Sequence, residues 1–442
     1  MRDKDFIQKN AIQIFIFSVY YVGASEMTPH RGREAPKLPL RRNRRKGGFG
    51  ARRNFRGEGE AKVIFSQRDI DILKLIRWCQ FVFPEDLNTI FTVAEVENLT
   101  ALGLIRHHEK SGALIMSKKG VLLLQTFFTE EVPQYPPSYH TAIIQRRLRL
   151  SKVALTAYRG DIDIFLAHNE LLNHTPSMFL STLTRERGAN PWGSTRVAAI
   201  AHLGDLLCAV HYVCPGIGKL SLTDELTAFS NQTARFPDAK RALIFAGESY
   251  KDILAELEND TRTDAKLISY GGAYQCLKIP VHLLSCDDAG AVQLQIMSQP
   301  DYRARLARVA LKEEYQPPPL DMPVWDAIYR DRPLVIAADM DLHRLDAAIL
   351  AAQKRGIKQI AVAALEEQAR SVLIPRYQSA GHARVFALTS EVISAVTGRP
   401  PVPYTPPRTQ FLTEKGDVVD APPIRIPGKA GRQTGRKARP LG

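Results

Sequence analysis

The chain has 442 residues, a hydrophobic fraction of 45% and a formal net charge of +14. Its length predicts about two or three globular domains, and its hydrophobic fraction is enough to form their cores. Its five cysteines have no clustered spacing, which argues against a secreted disulfide scaffold and favours a reducing cytoplasm. The positive charge lies at the ends: residues 31–56 carry eleven Lys or Arg and one acid, and residues 424–442 carry six and none. Flexible basic ends suit a polyanion, so DNA is the first partner to consider.

The first residues contain an apolar segment that precedes the basic run. Residues 11–24 form a stretch of 14 residues near the length of a signal-peptide core but short for a membrane span. The cations that follow this stretch oppose its translocation. We therefore expect no membrane partner and interpret residues 1–26 as a spurious leader ahead of a true start at Met27. The alternatives are an interfacial or signal-like segment and a buried helix.

Residues 1–61 as a whole are expected to be a disordered basic arm. Glycines interrupt its run of cations, and such a composition cannot bury a core. We predict that the cations of the arm contact the DNA backbone through Arg41, Arg42, Arg44, Arg45, Lys46, Arg52, Arg53 and Arg56.

Residues 62–131 are predicted to form a winged helix-turn-helix. Apolar residues recur at helical spacing after Ser66, which can cap the first helix. Pro84 is placed to open a short second helix. Thr92 and Glu95 have the spacing of a capping box, which predicts the start of a third helix.

A hairpin and a closing helix are predicted after these three helices. The strand-like runs are Leu104–His107 and Ala113–Ser117, and the turn between them contains Gly112. A further helix is expected to begin near Val121. Three helices, a hairpin and a closing helix are the element order of a winged helix.

The charges of this predicted module favour its wing over its third helix as the DNA contact. Between Ile64 and Phe128 there are seven basic and seven acidic residues. The third helix, which a helix-turn-helix places in the major groove, offers Glu95, Glu97 and Asn98 but no Arg or Lys. We therefore expect either backbone contacts that carry no sequence information or a protein-docking role. The predicted wing contacts are Arg106, Lys110, Lys118 and Lys119.

Proline-rich breaks divide the rest of the chain into three parts. We predict a mixed α/β body at 138–313, a smaller α/β domain at 324–398 and a disordered Pro-rich basic tail at 399–442. The body begins with a basic helix, which we interpret as a solvated helix face. The predicted fold class is therefore multidomain α+β or α/β, with a winged helix ahead of two α/β parts.

Three segments together resemble a known family. They are ALGLIRHHEKSGALIMSKKG (Ala101–Gly120), GSTRVAAIAHLGDLLCAVHYV (Gly193–Val213) and PLVIAADMDLHRLDAAI (Pro333–Ile349). The chain resembles, over about residues 64–395, a divergent member of the plasmid replication-relaxation family, of the kind carried on integrative and conjugative elements of Gram-positive bacteria. The resemblance implies an accessory DNA-binding protein of plasmid or element replication and relaxation, with no catalytic set to transfer.

Two acidic patterns keep an enzymatic alternative open. Asp238, followed by Glu248 and Lys251, is similar to the PD-(D/E)xK arrangement in which two carboxylates bind a divalent ion. Asp339 and Asp341 follow an apolar strand, where a D-x-D pair can hold Mg²⁺. The Lys251 spacing does not match the nuclease pattern, and we interpret the second pair as a helix cap.

A third pattern concerns zinc. Cys208, His211 and Cys214 lie on a run that predicts a buried strand. Since alternate residues of a strand point to opposite faces, His211 would face away from both cysteines. We interpret all three as core residues and predict no metal or other cofactor.

These patterns favour a non-enzymatic, cytoplasmic, DNA-associated protein that assists replication, relaxation or transfer of a plasmid or other mobile genetic element. The first alternative is a metal-dependent nuclease or phosphoesterase of degenerate PD-(D/E)xK or D-x-D type. The second is an adaptor that docks a relaxase or a replication initiator. The DNA site, the partner and the oligomeric state are left open.

Overall fold

The structure is a computed structural model of a protein with mixed α and β secondary structure, as predicted. It describes residues 65–128, 133, 137–166, 173–183, 197–215, 217–259, 267–399, 410–412 and 418–420. The chain divides into two compact units. One unit comprises Gln67–Pro407 with Ile426–Gly442, and the other comprises Met1–Ser66 with Arg408–Arg425.

Six elements open the larger unit. They are α1 (Gln67–Cys79), α2 (Pro84–Leu87), α3 (Val93–Ala101), β1 (Ile105–His107), β2 (Leu114–Met116) and α4 (Lys118–Phe127). Strands β1 and β2 pair antiparallel. The predicted capping box is confirmed, because the Thr92 side chain accepts from the Glu95 amide and the Glu95 carboxylate accepts from the Thr92 amide at 2.7 Å. Pro84 opens α2, and α4 begins earlier than predicted because the Ser117 side chain caps it.

A long helix, α5 (Thr141–Arg159), joins these elements to the rest of the unit. Its Ile144 and Leu148 pack in one apolar cluster with Phe81, which precedes α2, and with the β2 hairpin. The prediction of a solvated basic face is wrong for two of the five basic residues of this helix, since Arg147 is 3% exposed and Arg159 is 8% exposed. The helix is thus a central packing element.

The next part of the unit contains a five-stranded sheet. Its elements are β3 (Ser177–Leu180), β4 (Val197–Leu203), β5 (Leu206–Tyr212), β6 (Ile217–Gly218), α6 (Lys219–Thr233), β7 (Lys240–Gly247), α7 (Tyr250–Glu258), β8 (Leu267–Ile268), α8 (Tyr270–Cys276), β9 (Val281–Ser285) and α9 (Asp288–Met297), with a 3₁₀ turn at Ser181–Leu183. The strand order is β3-β4-β5-β7-β9, with β6 and β8 forming a separate pair. Strands β3, β4 and β5 are antiparallel neighbours, whereas β5, β7 and β9 are parallel. The three parallel strands therefore end at the same edge of the sheet.

A four-stranded sheet follows. Its elements are α10 (Tyr302–Leu311), β10 (Ala327–Tyr329), β11 (Arg332–Ile336), α11 (Leu342–Lys354), β12 (Ile360–Ala364), α12 (Glu366–Gln368) with a π-helix over Ala369–Gln378, β13 (Ala383–Ala387) and α13 (Ser390–Thr397), with a 3₁₀ turn at Lys312–Glu314. The order is β10-β11-β12-β13, and only the β10–β11 pair in this sheet is antiparallel. Helix α10 packs against α13 and β11. The Leu283 amide of β9 donates to the Met340 carbonyl after β11 at 3.2 Å, so the two sheets are linked within one unit.

The smaller unit is described only in part. Its described residues form an antiparallel hairpin of β14 (Gln410–Leu412) and β15 (Val418–Asp420). This hairpin lies within the stretch 399–442 that the sequence predicts to be a disordered tail, so short-range strand pairing was missed there.

Candidate nucleic-acid interface

All four predicted wing cations are exposed and lie on one continuous stretch of chain. Arg106 is in the middle of β1, Lys110 is in the turn after it, and Lys118 and Lys119 form the first turn of α4. Ile105, the neighbour of Arg106, is 1% exposed. Because successive strand residues point to opposite faces, burial of Ile105 sends the Arg106 side chain outward.

The turn between β1 and β2 is closed by backbone hydrogen bonds. The amides of Ser111 and Gly112 donate to the His108 carbonyl at 3.2 and 2.8 Å. Gly112 has a φ of 71°, in the left-handed region that favours glycine. This closure places Lys110 near the tip of the hairpin.

The cations of this hairpin are not neutralised by ion pairs within the described part of the protein. Among the described residues, Arg106, Lys110 and Lys118 have no carboxylate partner. The Lys119 ammonium donates to the Leu102 carbonyl at 3.0 Å, at the end of α3. The turn also contains one exposed acid, Glu109. The hairpin and the start of α4 therefore present a local excess of positive charge.

Helix α3 offers no such charge. Glu95 is held by Arg68, whose Nε lies 2.5 Å from its carboxylate. Burial by itself raises the pKa of Glu95, but the hydrogen bonds from Arg68 and Thr92 outweigh it and hold the pKa below its usual value. Glu97 remains exposed. The helical spacing of Val93, Val96, Leu99 and Leu102 predicts one apolar stripe on this helix. Val93 is instead 53% exposed.

The predicted contacts of the N-terminal arm cannot be placed in the same way. Arg41, Arg42, Arg44, Arg45, Lys46, Arg52, Arg53 and Arg56 lie outside the described residues. Their role stays a prediction from charge alone.

A second basic surface lies where the parallel strands end. Helix α5 and the end of β5 line a crevice of about 240 Å³, with Arg146, Arg149, Tyr212 and Tyr270 among its walls. In open α/β sheets, ligands usually bind at the carboxyl ends of the strands. The crevice has cations on one wall and tyrosines on others, so an anion fits its chemistry.

Glu248, the acid that directly follows β7, is already engaged. Tyr212 donates to Glu248 at 2.6 Å, and the Lys152 ammonium lies 2.7 Å from both carboxylate oxygens. Burial and the bond to Glu248 both raise the pKa of Tyr212. Burial lowers the pKa of Lys152, but the bond to Glu248 reverses the net direction. The structure therefore uses Glu248 to fix α5 against the sheet.

The two carboxylates of the proposed PD-(D/E)xK site are too far apart to share one metal ion. Asp238 precedes β7 and Glu248 follows it, so eight strand residues separate them. At roughly 3.3 Å per residue the two carboxylates lie about 25 Å apart. A single metal ion cannot bind both.

The D-x-D pair has a structural role. Asp341 caps α11 by accepting from the Arg344 amide at 3.1 Å, as the cap interpretation predicts. Asp339 is 1% exposed and accepts from the Tyr302 hydroxyl at 2.5 Å and from Arg303 Nε at 2.7 Å. Burial by itself raises the pKa of Asp339, but the charge of Arg303 and further neighbours lowers it strongly, so the carboxylate is ionised.

The backbone at Asp339 belongs to a larger buried network between the two sheets. The Gln293 amide donates to the Leu283 carbonyl at 2.8 Å and to the Asp339 carbonyl at 3.0 Å. Gln368 donates to the Ala338 carbonyl at 2.9 Å. Each of these bonds satisfies a polar group that would otherwise be buried unpaired.

Cys208 and His211 are buried in β5, as predicted, but Cys214 lies after the strand and is half-buried, so the interpretation of it as a core residue is wrong. Cys208 is fully buried in β5, and burial raises the pKa of its thiol to about 12. His211 is 1% exposed, and burial lowers its pKa to about 4, so the ring is neutral at pH 7. Its Nδ1 lies 3.4 Å from the Glu225 carboxylate of α6, not beside the cysteines.

Within the described ranges no group of three or more His, Cys, Asp or Glu side chains could hold a metal ion. No helix in that part of the chain is both long and apolar enough to cross a membrane. Comparison with protein-family models, with curated proteins and with solved structures finds no match to this chain.

The pattern of the sequence alone did not identify the crevice residues Arg146 and Arg149 as a site. They were assigned to a solvated helix, together with Arg147, because charge alone does not distinguish the two sides of α5. A usable signal was present, since Arg146 and Arg149 are three positions apart and so share one side of the helix. The strand end at Tyr212 could have been placed beside them only with the sheet order known.

Proposed function

We propose that this protein binds DNA through the hairpin of its first six elements, as an accessory factor in the replication, relaxation or transfer of a plasmid or mobile element. The carrying observation is the exposed hairpin in which Arg106, Lys110 and Lys118 have no carboxylate partner among the described residues. Cations in this condition neutralise phosphates and release counterions.

The order of elements supports interpreting this part as a winged helix. Three helices precede an antiparallel hairpin and a fourth helix follows it. In a winged helix-turn-helix, α3 would be the recognition helix, and the β1–β2 hairpin would be the wing. Because α3 has no Arg or Lys, we assign binding to the wing, which contacts the backbone and does not read bases. A cytoplasmic location is consistent with five cysteines that are all free.

The test is duplex binding by the full chain at several salt concentrations. Arg106→Ala with Lys110→Ala should weaken binding to all duplex sequences similarly and flatten the slope of log K against log salt by roughly 1.8, about 0.9 for each phosphate that is no longer neutralised. A charge-matched control, Lys354→Gln with Arg370→Gln, removes two exposed cations elsewhere and should change the slope little. An unchanged slope in the wing variant would sink the proposal.

An adaptor role is a second candidate. Val93 on α3 and Leu122 on α4 are apolar side chains that are 53% and 65% exposed. They offer a contact for a protein partner such as a relaxase or replication initiator. Val93→Ser with Leu122→Ser should then abolish capture of that purified partner while leaving duplex affinity unchanged.

A further inference from the structure

The four-stranded sheet carries an open pocket at the amino ends of its three parallel strands, beside the carboxyl end of β10. The cavity has a volume of about 210 Å³ and is lined by Tyr329, Arg330, Arg332, Ala361, Arg384 and Phe386. This volume is below the roughly 300–1,000 Å³ of a usual small-molecule site. A single ring or a phosphate fits it better than a whole cofactor does.

Strand register explains why these residues meet. Tyr329 pairs with Arg332, and Ala361 pairs with Arg384. Phe386 lies two residues after Arg384 and so shares its face of the sheet. Ala361, in the strand between, has only a methyl group, which leaves an open floor between the larger side chains.

The pocket is basic. No carboxylate is among its lining residues. Arg330 pairs with Glu314 at 3.2 Å, and both side chains are more than half exposed. Arg332 donates to the Gln359 side chain at 3.3 Å, whereas Arg384 has no carboxylate partner in the described part of the chain. Such a site attracts anions.

The pocket is also aromatic. The ring centroids of Tyr329 and Phe386 are 6.3 Å apart, with an interplanar angle of 88°. The Arg384 guanidinium lies 5.2 Å from the centre of the Phe386 ring, and that of Arg330 lies 5.0 Å from the Tyr329 ring. Both aromatic side chains are half-buried, so part of each ring is open to solvent.

The turn between β10 and β11 holds one wall in place. Its two central residues, Arg330 and Asp331, have φ values of 48° and 63°. A two-residue hairpin with both central φ values positive usually needs glycine or asparagine. The chain places an arginine there despite that preference, which fixes Arg330 beside Tyr329. Asp331 is exposed and does not line the pocket.

We propose that this pocket binds an unpaired base of single-stranded nucleic acid, with the base stacked on Phe386 or Tyr329 and the flanking phosphates held by Arg332 and Arg384. Stacking on aromatic rings beside arginines is how single strands are held without sequence preference. The proposal goes beyond the duplex function above and uses none of its residues, so either can fail without the other.

Photocross-linking tests the placement directly. The full chain is mixed with an oligonucleotide of 5-bromodeoxyuridine, irradiated and digested, and the modified peptides are mapped. We expect cross-links on Tyr329 or Phe386. Cross-links confined to other parts of the chain would overturn the proposal.

Binding measurements separate base stacking from simple attraction of anions. Phe386→Leu keeps an apolar side chain but removes the ring, and should weaken oligo(dT) binding roughly five- to hundredfold at a salt concentration that suppresses purely ionic contacts. Duplex affinity should be unchanged. Arg332→Gln with Arg384→Gln should reduce the oligo(dT) salt slope by about 1.4, since each phosphate of a single strand contributes about 0.7.

Control variants distinguish base stacking from misfolding and from general anion binding. Lys354→Gln with Arg370→Gln should bind oligo(dT) as the wild type does, and thermal unfolding should show that Phe386→Leu folds. Arg106→Ala with Lys110→Ala should lower duplex binding only. If Phe386→Leu binds oligo(dT) normally, or if poly-glutamate displaces oligo(dT) from the pocket equally well in wild type and variant, the pocket is an anion site and the assignment of a base is wrong.

Discussion

The Asp339→Ala substitution removes the carboxylate that joins α10 to the segment after β11. In the folded protein this side chain is 1% exposed and accepts from the Tyr302 hydroxyl at 2.5 Å and from Arg303 Nε at 2.7 Å. After truncation the Tyr302 hydroxyl stays buried without that acceptor. The Arg303 side chain, 28% exposed, loses its principal counter-ion.

The expected loss of stability follows from these two consequences. Removing one partner of a buried ion pair costs about 3–5 kcal/mol. Because Arg303 keeps some contact with water, we expect the lower part of this range, about 3–4 kcal/mol. A folded domain is usually stable by only about 5–15 kcal/mol, so the variant should have a clearly smaller free energy of unfolding than the wild type.

Urea denaturation followed by circular dichroism measures this loss. The matched control is Asp238→Ala, which removes an exposed carboxylate from a loop and should change the free energy of unfolding by less than about 0.5 kcal/mol. Equal stability of the two variants would refute the argument that the Asp339 carboxylate joins α10 to the segment after β11.

The Asp339 carboxylate also makes the free energy of unfolding depend on pH, with a defined sign. The pKa of Asp339 is lower in the folded chain than the usual aspartate value of about 3.9. Its contribution is therefore fully present above the unfolded pKa and is lost as the pH falls below it. The stability difference between wild type and Asp339→Asn should be constant above about pH 5 and should shrink below about pH 4. A difference that grows on acidification would contradict this sign.

Two further predictions concern local features. Thr92→Ala removes the capping box with Glu95 and should lower the free energy of unfolding by about 1 kcal/mol in the same urea assay, whereas no change would show that the cap is replaced by water. Brief iodoacetamide treatment of the folded protein at neutral pH should modify exposed Cys276 but not Cys79 or Cys208, because burial raises the pKa of these two thiols. Mass spectrometry measures the modification of each cysteine. Equal rates at all three would contradict the burial of Cys79 and Cys208.

The first six elements could be predicted because their signals are local. A capping box, as at Thr92 and Glu95, and a proline at a helix start, as at Pro84, act within a single turn of chain. Val93 was misassigned to the apolar stripe for the opposite reason. It lies at the first position of α3, where the direction of the side chain depends on what packs beside it.

Helix α5 shows what a single sequence does not contain. Arg147 and Arg159 resemble Arg146 in charge, yet the first two are buried and the third is exposed. Burial of Arg159 requires a partner, and Asp288 at the start of α9 supplies one. A pairing between residues so far apart in the chain depends on the tertiary structure, which charge patterns do not reveal.

The pocket on the four-stranded sheet was missed for a related reason. Its aromatic rings come from β10 and β13, and its floor comes from β12 between them. No local spacing links these residues. They meet only through sheet order and register, and a shift of one residue would send Arg384 and Phe386 to the opposite face.

The zero net charge of the first six elements also needs to be interpreted through the structure. Some of their acids are used inside the protein. Asp71 is 7% exposed and accepts from the Tyr158 hydroxyl at 2.6 Å, and Glu95 is paired with Arg68. Arg106 and Lys110, in contrast, are at the surface. Because salt screens charges beyond about 10 Å, an approaching phosphate responds to the nearest side chains and not to the total. A module that is neutral by count can therefore present a positive wing, and the acids of α3 weigh less against DNA binding than their number implies.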